Sequence, residues 1–194
     1  MGANIPQLIR NGEVWRVITA AVLHVNFLHY FGNVLATLVL VSRVEYTLGA
    51  WRLLILVILA GIGGNIFSAL ASFDAIKMGA STSIFGALGF CIGYIILNWR
   101  GLKTIDQMLR YHVIYTAVMF LIFGVISTSS PNVDIFGHLG GFLIGVWGTG
   151  MQKQFFYEKR EKIMRWVFVG IMVFQLILTF TIFYTIYPVK TYFG

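Results

Sequence analysis

The stretch Gly79-Ala80-Ser81-Thr82-Ser83-Ile84-Phe85-Gly86-Ala87-Leu88-Gly89 leads from a loop into an apolar, glycine-rich helix that is predicted to run to about Trp99. A serine at a helix start is commonly an N-cap, whose side-chain oxygen accepts a hydrogen bond from a backbone N–H group. A second segment, Gly137-His138-Leu139-Gly140-Gly141, offers a histidine near the start of another apolar run. Serine and histidine together are the minimum for an activated oxygen nucleophile, so Ser81 is a candidate for either role.

The composition of the chain is that of a membrane protein. Hydrophobic residues make up 58% of the sequence and charged residues 11%, and the mean hydropathy of +0.83 lies outside the range of soluble domains. A helix needs about 20 apolar residues to cross a bilayer. We therefore predict an all-α, polytopic membrane helix bundle with about six spanning helices, from the apolar runs Leu28–Val41, Trp51–Ser72, Ala80–Trp99, Tyr111–Ser127, Ile135–Met151 and Trp166–Tyr187.

The segments around the first two runs carry further local signals. Trp15–Phe27 is amphipathic and is predicted to lie at the membrane interface, and Arg43-Val44-Glu45-Tyr46 is predicted to form a cytosolic turn. The second run carries small residues at four-residue steps, a pattern typical of close helix packing. We assign no chemistry to that stripe, which consists of Ala60, Gly64, Ser68 and Ser72.

The net charge of +7 indicates topology rather than a nucleic-acid partner, because the basic residues are scattered between the apolar runs. If the spans alternate in direction, ten of the fourteen Lys and Arg residues fall on one side and four on the other. The positive-inside rule places the larger group in the cytosol. Both chain termini are then expected outside the cytosol. The single cysteine, Cys91, lies within a span and cannot form an intrachain disulfide.

Polar residues gather at one predicted depth in the membrane. The first, third and fifth runs all enter from the non-cytosolic side, and their first two turns carry His29 and Asn33, Ser81, and His138, respectively. At about 1.5 Å per residue, these four residues lie about 10 Å or less below the surface. Such residues are costly in a membrane and mark functional sites by default. Glycine stripes in the third and fifth runs are expected to let Ser81 and His138 touch.

These residue types predict a catalytic dyad. His138 can take the Ser81 proton as a general base and return it to the leaving amine. His29 and Asn33, with the Ser81 backbone N–H at a helix start, can stabilise an oxyanion. Alternatively, the polar side chains of the first run only hydrogen-bond to neighbouring helices and stabilise packing.

The sequence lacks the residues that other kinds of intramembrane protease site require. Asp74 and Asp134 lie in predicted loops, so no third acid is expected to join the dyad. The sequence contains no His-Glu-x-x-His zinc motif, and no predicted span contains an aspartate. We therefore expect neither a metal site nor a cofactor.

From Gly2 to about Met151, the chain resembles the rhomboid family of intramembrane serine proteases. The resemblance is carried by Glu13-Val14-Trp15-Arg16, by His24, His29 and Asn33 at the family's spacing, by Glu45, by Gly79-x-Ser81, and by Gly137-His138 followed by Gly141 and Gly145.

The resemblance implies a role for each of these site residues. Ser81 is the implied nucleophile and His138 the implied base, with oxyanion contacts from Asn33, His29 and the Ser81 backbone. Phe85, one turn after Ser81, is implied to pack against the His138 ring. His24 and Gly79 are implied to support the site.

The sequence departs from the family pattern in two ways. Thr82 stands where the family most often has glycine, and it could crowd the oxyanion site or simply substitute another small residue. Rhomboids also carry a helix before the Gly-Ala-Asn turn, with which this sequence begins. We therefore expect residues 1–151 to form a rhomboid catalytic core lacking its first helix, 152–165 a cytosolic basic connector, and 166–194 an additional C-terminal transmembrane helix.

The resemblance implies an intramembrane serine protease that hydrolyses peptide bonds in or next to substrate transmembrane helices near the non-cytosolic face. Its partners are then single-span membrane protein substrates and the lipid bilayer, with no nucleic acid. The protein is expected to be multi-pass, in a eukaryotic secretory-pathway or plasma membrane. The alternative is a catalytically weak or inactive rhomboid-like protein that binds and escorts transmembrane clients. A transporter is a more distant reading, since no internal repeat or broken-helix pair is evident.

Overall fold

The structure is a computed structural model that describes residues 2–72, 75–105, 133–151 and 158–186, together with Tyr111, Ile114, Tyr115 and Val118. The predicted run Tyr111–Ser127 therefore lies almost entirely outside the described residues, as does Asp74. The described part of the chain is almost entirely helical, and an antiparallel bridge pairs Asn4 with Lys77.

The following helices belong to the described part of the chain. In chain order they are α1 (Pro6–Arg10), α2 (Arg16–Thr19), α3 (Phe27–Ala36), α4 (Ser42–Leu48), α5 (Ala50–Ala71), α6 (Ser81–Ile105), α7 (Ile135–Gly148) and α8 (Glu158–Ile186). A π-helical turn at Thr37–Val41 joins α3 to α4 without a break, and 3₁₀ turns follow α2 at Ala20–Val22 and α7 at Thr149–Met151.

Four helical segments are long and apolar enough to cross a membrane, and they are Phe27–Leu48, Ala50–Ala71, Ser81–Asn98 and Trp166–Thr185. A shorter apolar segment covers Ile135–Met151. These segments correspond to five of the six predicted runs and confirm the all-α membrane bundle.

The predicted cytosolic turn at residues 43–46 is wrong, because this stretch is helical and belongs to α4. Val44 and Leu48 lie on one buried face of that helix, four residues apart, whereas Glu45 is exposed. Glu45 therefore marks the outer face of an amphipathic helix rather than a loop. The chain turns at Gly49, whose φ of +84° is a conformation that glycine adopts without steric cost.

Helices α5, α6 and α7 pack with their backbones in direct contact. A Cβ atom at Gly145 would collide with the carbonyl oxygen of Gly86, and one at Gly141 would collide with that of Thr82. A Cβ at Gly64 on α5 would lie 2.6 Å from the Gly137 oxygen. The glycine stripes therefore remove the side chains that would keep the starts of α6 and α7 apart.

The N-terminal segment braces the loop that precedes α6. The backbone groups of Asn4 and Lys77 exchange hydrogen bonds of 2.9 and 3.0 Å. The Asn4 amide donates to the Asn65 carbonyl on α5, and the Asn65 amide donates to the Val17 carbonyl, each at 2.7 Å. The Gly79 N–H donates to the Ala20 carbonyl at 2.9 Å. Two buried amides thus tie the N-terminal segment to α5, and the backbone bonds tie it to the loop that leads to Ser81.

Candidate active site

Ser81 and His138 meet where α6 and α7 begin. Ser81 is the first residue of α6 and His138 is the fourth of α7. The His138 Nε2 lies 2.7 Å from the Ser81 Oγ, within hydrogen-bonding distance. Ser83, two residues later, instead donates through its Oγ to the Val57 carbonyl on α5 at 2.8 Å. Of these two serines, Ser81 is the one whose hydroxyl contacts an imidazole.

The His138 ring is also held by an aromatic neighbour. Phe85, one turn after Ser81 on α6, stacks on it with ring centroids 4.2 Å apart and an interplanar angle of 6°. Because α6 supplies both the hydroxyl and the stacking ring, one helix fixes the imidazole in position and in tilt.

His29 and Asn33 lie against Gly79, two residues before Ser81. The Asn26 Oδ1 caps α3 by accepting from the His29 N–H at 2.8 Å, and the Asn33 amide donates to the His29 carbonyl at 3.0 Å. Gly79 has φ of +142°, and a Cβ there would lie 2.7 Å from the His29 Cε1. Glycine is therefore required at this position by both conformation and space. Within the described residues, no hydrogen bond joins His29 or Asn33 to the Ser81 side chain.

His24 lies behind His29. Its ring packs edge-on against the His29 ring and the Tyr30 ring, with both centroid distances at 5.3 Å. The His24 Nε2 is buried, and no hydrogen-bond partner for it exists among the described residues. His24 therefore contributes packing that limits how the His29 ring can turn.

The Thr82 side chain is 2% exposed. Its Cβ packs against Gly64 on α5 and its methyl group packs against Gly137 on α7. Thr82 therefore fills space between α5 and α7, which favours the second of the two interpretations of this departure.

Asp134 and Ser68 form a polar contact that the sequence did not predict. The Asp134 Oδ1 accepts from the Ser68 Oγ at 2.6 Å and from the Gly137 N–H at 3.0 Å. Burial raises the pKa of the Asp134 carboxyl, and these two bonds and the charge of Lys77 offset that shift only in part. No bond joins the carboxylate to the His138 ring, although both residues are described. Part of this contact could have been predicted from the sequence. Asp134 directly precedes an apolar helical run, and aspartate in that position is typical of an N-cap.

The described residues form no group of three or more His, Cys, Asp or Glu side chains arranged to hold a metal ion. The groups that the structure does bring together are a hydroxyl, an imidazole and an adjacent helix start. A hydroxyl and an imidazole in contact are the minimum for nucleophilic attack assisted by proton transfer.

Comparison with known protein families gives a match to the rhomboid domain over residues 11–155. Rhomboid-like protease 1 of Toxoplasma gondii is 37% identical over 145 residues, which are 74% of this chain and 49% of that protein. Rhomboid-like protease 2 of the same organism is 33% identical over 152 residues, covering 75% of this chain and 52% of that protein. RHOMBOID-like protein 5 of Arabidopsis thaliana is 34% identical over 151 residues, covering 75% of this chain and 46% of that protein.

This chain spans about half the length of these relatives. The matched region nevertheless contains α3 to α7 and every residue of the Ser81 and His138 site. The apolar helices and the domain match together indicate an integral, multi-pass membrane protein. The chain belongs to the rhomboid family.

Proposed function

We propose that this protein is an intramembrane serine endopeptidase that cleaves single-span membrane proteins in or next to their transmembrane helices, near the non-cytosolic face. The observation that carries the proposal is the 2.7 Å approach of the His138 Nε2 to the Ser81 Oγ. The names of the two Toxoplasma relatives, both rhomboid-like proteases, support the same class of activity.

The first step is acylation of Ser81. As the Ser81 Oγ attacks the scissile carbonyl carbon, its proton passes to the His138 Nε2. The Nε2 must therefore be unprotonated at the start, with the imidazole proton on Nδ1. Collapse of the tetrahedral intermediate breaks the C–N bond, and the imidazolium returns the proton to the leaving amine. Water then attacks the acyl group with His138 again as base, which releases the carboxylate product and restores Ser81.

The negative charge on the intermediate needs hydrogen-bond donors. Ser81 is the first residue of α6, and the first N–H groups of a helix have no intrahelical acceptor. The Asn33 amide has two N–H donors, and its bond to the His29 carbonyl uses one. His29 lies beside Gly79, so its ring can supply a further donor. We assign the oxyanion to these three groups.

The site lies at the ends of its helices, where water can reach it. His29, Ser81 and His138 are all within the first four residues of α3, α6 and α7. Ser81 and His138 both retain partial exposure. By the positive-inside rule these helix starts face the non-cytosolic side. A substrate helix that unwinds at this level would present its peptide bond to both Ser81 and water.

We further propose that residues 1–151 carry the activity, that 152–165 form a connector, and that 166–194 provide an accessory helix. Helix α8 begins at Glu158, within the proposed connector. It packs against the bundle through contacts such as Trp147 with Phe168. Among the described residues, none of the groups assigned to the reaction belongs to α8.

The test uses the full chain in detergent micelles and a fluorescent fluorophosphonate, which reacts covalently with activated serines. The wild-type protein and Ser83→Ala should be labelled, and Ser81→Ala and His138→Ala should not. Ser83 is the matched control because it lies on the same helix start but bonds to the Val57 carbonyl. If Ser81→Ala is labelled like the wild type, the nucleophile assignment is wrong. If the folded wild type is not labelled, the alternative of an inactive client-binding protein is favoured.

A further inference from the structure

The start of α7 is anchored to α5 through one carboxylate. Asp134 is the N-cap of α7, and its Oδ1 accepts from the Gly137 N–H at 3.0 Å. The same oxygen accepts from the Ser68 Oγ at 2.6 Å, and Ser68 is 1% exposed on α5. A buried bond between helices is thus centred on the residue where α7 begins.

His138 is connected to this anchor through the backbone. The His138 N–H donates to the Asp134 carbonyl oxygen at 2.9 Å, so one helical turn separates the anchor from the imidazole. The turn is closely packed, since a Cβ at Gly137 would collide with the Asp134 carboxylate and would lie 2.9 Å from the Thr82 methyl group. A displacement of Asp134 would therefore move the His138 backbone with it.

The residues before Ser81 touch the same anchor. The Lys77 Nζ donates to the Val133 carbonyl at 3.3 Å, next to Asp134 in the chain. The Lys77 backbone is itself held by Asn4. The loop before Ser81 and the segment before His138 are therefore connected by the bond between Lys77 and Val133.

We propose that Asp134 and Ser68 are positioning residues for His138, whose hydrogen bond fixes the start of α7 and so holds the imidazole against Ser81. This inference rests on the proposed role of the Ser81 and His138 dyad. Among the described residues, the Asp134 carboxylate accepts from the Ser68 Oγ and from the Gly137 N–H. Asp134 therefore acts through the position of the helix and does not touch the imidazole.

Substitution by asparagine separates this role from that of a third catalytic acid. Asparagine keeps an oxygen acceptor and is about as good an N-cap as aspartate, whereas alanine removes the cap. A positioning residue should therefore tolerate Asp134→Asn and not Asp134→Ala. A catalytic acid that acts through its charge would be lost in both.

The experiment measures the rate of Ser81 labelling by the fluorophosphonate in the full chain, resolved into a maximal rate constant and a probe-binding constant. Asp134→Ala should lower the maximal rate constant about tenfold, with the binding constant unchanged. Asp134→Asn should stay within about threefold of the wild type, because the cap is kept. Ser68→Ala should reduce the rate, and Ser68→Ala added to Asp134→Ala should change little more, since the bond is already gone.

Ser83→Ala is the control, because it also removes one serine bond to α5 but leaves α7 untouched. The proposal is overturned if Asp134→Ala labels at the wild-type rate, if Asp134→Asn is as slow as Asp134→Ala, or if Ser83→Ala slows labelling as much as Ser68→Ala. If Asp134→Ala fails to fold, the labelling rates of Ser68→Ala and Asp134→Asn test the proposal, which predicts slower labelling for the first and nearly wild-type labelling for the second.

A second measurement does not depend on activity. The melting temperatures of the wild type, Ser68→Ala, Asp134→Ala and the double variant form a double-mutant cycle, which should show coupling between the two residues. Additive losses would contradict the anchor itself. An unlabelled wild type with intact coupling would instead contradict only the proposed catalytic function.

Discussion

The ring of Phe85 lies parallel to the ring of His138, with centroids 4.2 Å apart and an angle of 6° between the ring planes. Stacking of this kind contributes about 0.5–1.5 kcal/mol beyond the area that it buries. In a site where the imidazole must stay against Ser81, that contribution favours one ring orientation over all others.

Phe85→Ala should therefore lower kcat for a membrane substrate by about tenfold, by releasing the His138 ring, and should leave KM nearly unchanged. The measurement is steady-state cleavage in liposomes. Phe136→Ala is the control, because it removes an aromatic ring from α7 that packs on Phe67 and not on His138. Equal losses in the two variants would mean that Phe85 acts only through general packing.

Asn33→Ala should lower kcat by about 10²–10³, the usual loss for one oxyanion donor. Asn98→Ala is the matched control. Asn33 and Asn98 each donate an amide N–H to the carbonyl four residues earlier, at 3.0 and 2.9 Å, but Asn98 lies at a kink in α6, far along the helix from Ser81. If Asn98→Ala reduces the cleavage rate as much as Asn33→Ala does, the oxyanion role of Asn33 is not supported.

Much of this fold follows from its sequence, because hydropathy and glycine spacing are local signals with a direct physical meaning. A membrane span is recognised by its apolar length, and a stripe of glycines indicates where two backbones touch. The contact between Gly86 and Gly145 is of this kind. The helix at residues 43–46 was not predicted, because an exposed charged residue such as Glu45 occurs both in turns and on the outer face of a helix.

The anchor between Ser68 and Asp134 could not be predicted for a different reason. The two residues are 66 positions apart, and each had a sufficient local explanation. Ser68 fitted a small-residue packing stripe, and Asp134 fitted a loop. Only the packing of α5 against α7 shows that their side chains meet.

Arg10 is expected to hold the end of α8. Its guanidinium donates to the carbonyls of Phe183 and Tyr184 at 2.5 and 2.6 Å, in the last turn of that helix, and Arg10 is 7% exposed. Arg10→Ala should lower the free energy of unfolding by about 2 kcal/mol, because bonds from a charged donor are lost. Thermal unfolding in detergent measures this effect, and the rate of Ser81 labelling below the melting temperature should stay near that of the wild type.

Arg52→Ala is the control for Arg10→Ala, since Arg52 is exposed and, among the described residues, its bond to the Leu48 carbonyl is long, at 3.4 Å. An unchanged melting temperature for Arg10→Ala would mean that the bonds from Arg10 to the Phe183 and Tyr184 carbonyls do not stabilise the fold. A large loss of Ser81 labelling in the folded variant would contradict the assignment of α8 as an accessory helix.

Gly145→Ala should destabilise the bundle by about 1–3 kcal/mol, because the new methyl group meets the Gly86 carbonyl and the two backbones must separate. Gly170→Ala on α8 is the matched control, since no described residue of another element lies within 4 Å of its added Cβ. Its melting temperature should be unchanged or slightly higher, as alanine is the better helix former. Equal melting temperatures for the two variants would rule out close packing of α6 and α7.

Cleavage of a single-span membrane substrate in liposomes by the wild type, Ser81→Ala, His138→Ala and the double variant tests the catalytic dyad most directly. Each single substitution should abolish cleavage while the protein still folds. Because the two residues act as a unit, the double variant should be scarcely slower than either single one. Wild-type cleavage by Ser81→Ala, or losses that multiply in the double variant, would contradict the account.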